Sequence, residues 1–174
     1  MWKVKKSVVH GYGIVASKNI KKGTRVIEYI GEKVARAEGN RRSERRIKKY
    51  LNSSKTGSVY IFELNSKFDI DGSPTYNKAR YINHSCNPNC EVDIINNQIW
   101  ISSIKNIKKG DELSYDYGYE FDKDDYKDHV CKCGSKICIG FIISSDDWPK
   151  YKKYLVKIKK KRNKIAWFWL LADV

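Results

Sequence analysis

Between positions 2 and 115 the sequence is cut into short β-type runs, at 2–9, 13–16, 25–29, 59–64, 68–70, 91–95, 98–102 and 112–115, separated by turn residues. Runs of this length cannot be core helices, which need ten or more residues to bury a stripe. The pattern therefore predicts a mainly β fold. Asn96-Asn97, between two apolar-rich runs, predicts a tight hairpin turn. One helix is predicted over 35–51, rich in Arg, Lys, Glu and Ala, and a shorter one over 76–81.

The hexapeptide Lys-Asn-Ile-Lys-Lys-Gly occurs twice, at 18–23 and 105–110. Each copy follows one β-type run and precedes another, which predicts two similar strand–turn–strand corners with Gly supplying the turn. After position 144 the texture changes. Asp146 and Asp147 are placed to cap a helix with Pro149 in its first turn. Trp148, Tyr151, Leu155, Ile158, Ile165 and Trp169 then recur mostly at spacings of three, four or seven, an apolar stripe opposite a Lys-rich face. This stripe is expected to pack back on the domain.

Charge narrows the class of partner. The net charge is +15 over 174 residues, with seven basic and two acidic residues from Arg36 to Lys49, and nine basic and no acidic residues from Lys150 to Lys164. Such stripes attract something anionic, DNA included, or are simply solvated helix faces. No apolar run reaches the roughly 18 residues of a membrane span, and no apolar segment follows the basic N-terminus, so an intracellular protein is expected, nuclear or cytoplasmic, without a secretory signal.

Five cysteines, at 86, 90, 131, 133 and 138, are an odd number in a chain of this kind, which argues against a disulfide framework. Cys131, Cys133 and Cys138 form a Cys-x-Cys-x4-Cys cluster that calls for a metal and needs one more ligand to close a tetrahedral site. Cys86, Cys90, His84 and His129 are the candidates. His84 and Cys86 are the residue types of a cysteine hydrolase, but no third group is evident to orient a base. The alternating tyrosines 115, 117 and 119 would share one face of a strand, as an aromatic core stripe or as a binding wall. Gly11 and Gly13, around Tyr12, let backbone approach a ligand closely.

In chain order, His10-Gly11-Tyr12-Gly13, Tyr29-Ile30-Gly31-Glu32, Arg80 to Asn89 with its Asn83-His84-Ser85-Cys86, Glu112 to Tyr117 and the terminal cysteine cluster resemble the SET-domain protein-lysine methyltransferases with a post-SET motif. The likeness covers about 2–143. It departs at Tyr76, where the family has Gly, and at Ile139, where it has Arg. No pre-SET cysteine cluster precedes it, and the segment after 144 has no counterpart in the family.

The resemblance implies a SET (β-clip type) fold of several short sheets with a C-terminal pseudoknot and an added basic helix. It divides the chain into a SET domain at 1–122, a post-SET segment at 123–143 and an extension at 144–174. It implies S-adenosylmethionine as cofactor, contacted by His10, Gly11, Tyr12, Gly13, Tyr60, Asn83 and His84, with Phe141 over the adenine. Tyr29, Tyr115 and Tyr117 would line the lysine channel, Tyr117 beside the transferring methyl. Zinc would be held by Cys86, Cys131, Cys133 and Cys138, leaving Cys90 as a small buried residue. Tyr115 stands at the family's Phe/Tyr switch, which implies mono- or di-methylation. The acidic stretch 120–128 suits a basic, histone-like target, or is a solvated linker. The rival reading is a non-catalytic SET-fold module that binds nucleic acid or chromatin.

Overall fold

The computed structural model describes the backbone of residues 1–51 and 60–170 and the side chains of 1–49 and 60–160. Val59 of the expected run 59–64, and the side chains of Ile165, Trp169 and the basic residues 161–164, lie outside the described residues. The elements are β1 (Trp2–Lys6), β2 (Tyr12–Ala16), β3 (Arg25–Tyr29), β4 (Glu32–Ala35), α1 (Arg36–Leu51), β5 (Ile61–Glu63), β6 (Phe68–Asp71), β7 (Asn83–His84), β8 (Cys90–Ile95), β9 (Gln98–Ser103), β10 (Ser114–Tyr115) and α2 (Trp148–Leu170). Four small sheets result: β1 with β2, β3-β9-β8, β4-β6-β5, and β7 with β10. The fold is mainly β, as expected. No helix among the described residues is long and apolar enough to cross a membrane.

Two compact units are distinguished, Met1–Asn83 with Pro88–Tyr115, and His84–Asn87 with Asp116–Val174. In the first, Ile14, Ile99, Ile101, Ile107 and Leu113 are almost wholly buried, and each such side chain contributes about 1.5–3 kcal/mol over an exposed one. A second cluster gathers Tyr29, Leu64, Ala79 and Ile99, with Ile27, Phe62, Ile70 and Val92 against it. The β8–β9 hairpin turns where expected: Ile95 pairs with Gln98, and Asn96 and Asn97 adopt φ of 51° and 58°. Both central residues at positive φ give the turn that matches strand twist.

Strand ends differ from the sequence expectation for local reasons. The run 2–9 stops at Lys6 because the Ser7 hydroxyl accepts from Val9 N at 2.9 Å while Ser7 N donates to Gly11 O at 3.0 Å. The run 112–115 is paired as β10 only at its last two residues, Glu112 making an isolated bridge to Val15. Strand β4 was not anticipated. Only Val34 of its four residues is buried, so it lacks an apolar pattern and owes its form to pairing with β6, Glu32 opposite Asp71 through Ala35 opposite Phe68. The segment expected to be helical at 76–81 is a 3-10 turn, Lys78–Tyr81.

The repeated hexapeptide pairs with itself. Ile20 N donates to Ile107 O at 2.8 Å and Ile107 N to Ile20 O at 2.9 Å. Asn19 Oδ1 accepts from Lys109 N at 2.8 Å, and Asn106 Oδ1 from Lys22 N at 3.0 Å. Each copy thus caps the equivalent position of the other, a local two-fold, and each ends in a glycine at positive φ, 79° at Gly23 and 99° at Gly110.

Helix α1 is held by charge rather than by apolar burial. Arg42 reaches Glu32 at 2.6 Å, Glu38 at 2.8 Å and Asp71 at 2.8 Å, while Arg46 binds Asp71 at 2.9 Å and Ser73 Oγ at 2.9 Å. Arg36 pairs with Glu63. With Arg41 paired to Glu38, four of the seven basic residues in this stripe are neutralised within the protein, so it is not a free cationic face.

The second unit has its own aromatic core of Phe121, Tyr126, Ile143 and Tyr151, with Ile139, Phe141, Trp148 and Tyr154 packed against it. Helix α2 contributes Trp148, Tyr151 and Tyr154, so the expected apolar stripe does pack back over its first two turns. Beyond them Leu155 and Val156 are exposed. The cap differs from expectation: the Ser144 side chain accepts from Asp146 N at the start of a 3-10 turn, Ser145–Asp147. Asp147 instead accepts from Phe121 N at 2.6 Å, which fastens the aromatic core to the helix start.

Candidate active site

The first unit carries most of the residues expected at the cofactor. β7 follows the 3-10 turn, and burial of Ala79 within that turn and of Ile82 just after it sets Asn83 facing the 7–12 turn. The Asn83 amide nitrogen donates to Tyr12 O at 3.1 Å, to Glu112 Oε1 at 2.8 Å, and lies 3.4 Å from His10 O. Gly11 has φ +50°, which the turn requires. Gly13 leaves room on its side-chain face. A Cβ there would lie 2.4 Å from Glu112 Oε1, so the room it leaves is filled by the protein's own carboxylate.

Tyr29 and Tyr115 are both buried. The Tyr29 hydroxyl donates to Tyr60 O at 3.0 Å, and its ring meets Phe62 at 5.2 Å, which meets Tyr115 at 6.3 Å. Phe62, which sequence reasoning left out, thus joins two of the expected channel tyrosines. Arg80 was also missed. Its guanidinium lies 4.0 Å from the Tyr60 ring centroid and 5.5 Å from that of Tyr81, whose ring contacts Tyr12 at 6.0 Å. Arg80 donates to Ser73 O, but its Nε is buried without a hydrogen-bond partner among the described residues. A buried, unsatisfied guanidinium nitrogen calls for a further acceptor. The sequence signal was present: Arg80 opens the same motif that contains Asn83.

The second unit holds His84, Tyr117 and the cysteines. The His84 ring is almost fully buried, and burial lowers its pKa, only partly offset by Asp116 3.7 Å away, so the imidazole is neutral. Nδ1 accepts from Tyr117 N at 3.2 Å, which puts the proton on Nε2, 3.7 Å from Cys86 Sγ. Both ring nitrogens are thus engaged inside the unit, leaving His84 only its backbone for a ligand. Asp116 accepts from Gly118 N at 3.0 Å and Ser145 N at 2.8 Å, so the chain at Tyr117 is fixed on both sides. The Tyr117 ring is 5.4 Å from His84 and 5.9 Å from Tyr119, which in turn contacts His129 at 5.2 Å. Burial raises the Tyr119 pKa.

Among the sequence candidates for the fourth ligand, the structure brings Cys86 to the distal cluster. The Sγ atoms of Cys86, Cys131, Cys133 and Cys138 all lie within 4.8 Å of one another, with Cys86 3.8 Å from both Cys131 and Cys138. A tetrahedron of sulfurs with metal–sulfur bonds of about 2.3 Å has edges of about 3.8 Å, so the donor set fits zinc. Burial pushes the Cys86 thiol up to about 11 and raises that of Cys131. At Cys133 burial is outweighed by hydrogen bonds from the Cys86 and Ser135 backbone and neighbouring thiols, bringing it down to about 7. Cys90 is buried, pushed up to about 12, and stands outside the cluster. Phe141 packs edge-on against Tyr126 at 4.9 Å and Tyr151 at 6.1 Å.

The SET domain family model matches residues 11–118. Histone-lysine N-methyltransferase 2D of Homo sapiens is 37% identical over 137 residues, 76% of this chain but 2% of that protein. The histone-lysine N-methyltransferase, H3 lysine-4 specific, of Emericella nidulans is 38% identical over 141 residues, 79% of this chain and 11% of that protein. Its namesake in Saccharomyces cerevisiae is 36% identical over 141 residues, 79% and 13%. The chain therefore spans a small part of these relatives. The family match runs from the Gly11 turn that faces Asn83 to the Tyr117 segment anchored by His84, and on it the chain belongs to the SET-domain family.

Proposed function

We propose that this chain is a protein-lysine N-methyltransferase that uses S-adenosylmethionine, adds one or two methyl groups, and acts on a histone or another basic, DNA-associated protein. The observation that carries the reading is the fixed setting of Tyr117: its N–H is held by a neutral, buried His84, and its neighbour Asp116 is tied on both sides. A reaction that relies on alignment more than on acid–base chemistry needs such rigidity.

The cofactor, when bound, supplies an electrophilic sulfonium methyl. The protein's task is to present a neutral amine to it. Lysine in water has a pKa of about 10.4, and its ammonium has no lone pair. The buried rings of Tyr29 and Tyr115 and the half-buried ring of Phe62 disfavour the cation by desolvation, which lowers that value and favours loss of the proton. The Tyr115 hydroxyl takes up space and hydrogen-bonding capacity beside the amine and opposes a third methylation. Tyr117 orients the amine. Asn83, the 10–13 turn, Tyr60 and the His84 backbone bind the cofactor, and the orphaned Arg80 Nε is a further donor for its anionic end. Phe141 covers the adenine. Cys86, Cys131, Cys133 and Cys138 would hold zinc, which would tie Cys86, and so His84, to the 131–138 loop, and the His84 Nε2 proton is directed at the Cys86 sulfur.

The exposed carboxylates of Asp122, Asp124, Asp125 and Asp128 support a basic target and action in the nucleus. The exposed Lys152, Lys153, Lys157, Lys159 and Lys160 of α2 would add salt-dependent affinity for DNA around such a substrate. The test is incubation of the full chain with methyl-labelled cofactor and core histones, alongside zinc analysis of protein purified without chelator. Label in histone lysines and one zinc per chain are expected. No transfer, together with no cofactor binding by calorimetry, would leave a non-catalytic module as the reading.

A further inference from the structure

Glu112 is a half-buried carboxylate for which the described residues provide no cation. Its oxygens accept the Ser7 hydroxyl at 2.8 and 2.9 Å and the Asn83 amide nitrogen at 2.8 Å, and it fits there only because residue 13 has no Cβ. Strand pairing keeps it in place. Val15 bridges Glu112, Leu113 N donates to Ile14 O at 2.7 Å, and Asn89 Nδ2 donates to Glu112 O at 2.8 Å.

This arrangement dictates which way the Asn83 amide faces. Around its nitrogen stand the Glu112 carboxylate, the carbonyls of Tyr12 and His10, and the Ser7 oxygen, 3.1 Å away, whose proton is already given to Glu112. All four present lone pairs. An amide oxygen there would meet only acceptors, so the NH2 group must point in and Oδ1 must point away from the cage. Donation to a carboxylate also polarises the amide and strengthens its oxygen as an acceptor. A polarised carbonyl backed by an uncompensated negative charge suits a cationic N–H donor, a primary ammonium above all.

We propose that Glu112 is a positioning residue that, with Ser7, turns the Asn83 amide so that its oxygen receives the α-ammonium of the cofactor's amino-acid moiety, and lends the charge that balances it. The proposal rests on the methyltransferase reading above. It assigns a task to two residues outside the set that the family likeness marks for the cofactor.

The test is isothermal titration of the full chain, as wild type, Glu112→Gln and Ser7→Ala, with S-adenosylmethionine, S-adenosylhomocysteine and 5′-methylthioadenosine. The last keeps the nucleoside and loses the ammonium. Glu112→Gln keeps the volume and removes the charge. It should bind the first two ligands about ten- to a hundred-fold more weakly, as for loss of a charge-assisted contact, with methylthioadenosine changed by no more than about two-fold. Ser7→Ala should show a smaller loss with the same selectivity, and steady-state assays should place both effects in the cofactor KM rather than kcat. Equal weakening for all three ligands would mark a merely structural role and overturn the proposal, as would no change for any. If wild-type protein binds none of the three, the methyltransferase reading itself fails, and this proposal with it.

Discussion

Tyr151→Ala tests whether the segment that follows residue 144 is part of the folded unit. The side chain is 6% exposed, and its ring meets Phe121 and Tyr126 at 5.4 Å and Phe141 at 6.1 Å, all near edge-to-face. Truncating a buried aromatic costs about 3–5 kcal/mol, which already includes ring pairs of about 0.5–1.5 kcal/mol each. Alanine's better helix propensity returns only a few tenths of a kcal/mol. Against a total stability of about 5–15 kcal/mol, the loss would be plain in urea unfolding of the zinc-loaded chain. Val156→Ala, one turn on and 55% exposed, is the internal control and should stay within about 0.5 kcal/mol. A Tyr151→Ala cost below about 1 kcal/mol, or one equal to that of Val156→Ala, would mean that α2 is not docked on the aromatic cluster.

Other outcomes follow from the same reasoning. Asn19→Ala and Asn106→Ala each delete one side-chain to backbone hydrogen bond at equivalent places in the repeat. They should cost about 1 kcal/mol apiece and nearly equal amounts, and a clear inequality in chemical denaturation would contradict the local two-fold. Asp71→Asn should cost about 3–5 kcal/mol near neutral pH by leaving Arg42 and Arg46 without their shared carboxylate. Burial pushes the Asp71 carboxyl up, but hydrogen bonds from Arg46, Arg42 and Ser73 outweigh it and hold it well below its ordinary 3.8. A depressed carboxylate stabilises above its unfolded value and loses that contribution as pH falls. The gap between wild type and variant should therefore be level above about pH 5 and narrow below 3.8. A gap that widens on acidification would exclude this pairing. Tyr115→Phe removes the hydroxyl beside the amine and should shift products toward higher methylation, and an unchanged methyl distribution by mass spectrometry would count against the role given to Tyr115.

The sequence alone determined the mainly β class, the hairpin at Asn96-Asn97, α1 to within a residue at its start, and the metal-seeking cluster of Cys131, Cys133 and Cys138. Those features depend on local conformation or on side chains whose chemistry needs no neighbour to recognise: positive φ at a two-residue turn, helical composition, thiolates at metal spacing. The choice of Cys86 over Cys90, four positions away, was not local. Burial and chain path bring one sulfur to 3.8 Å from Cys131 and Cys138 and leave the other in β8. Strand β4, the pairing of the two hexapeptides, the neutralised arginines of α1 and the Glu112–Asn83 cage were likewise decided in three dimensions. Apart from Arg42 with Glu32 and Glu38, these join residues roughly 25 to 105 positions apart, through hydrogen bonds and ion pairs whose partners have no fixed spacing in sequence. Periodicity records which face of an element is buried, but not which distant side chain it will meet there.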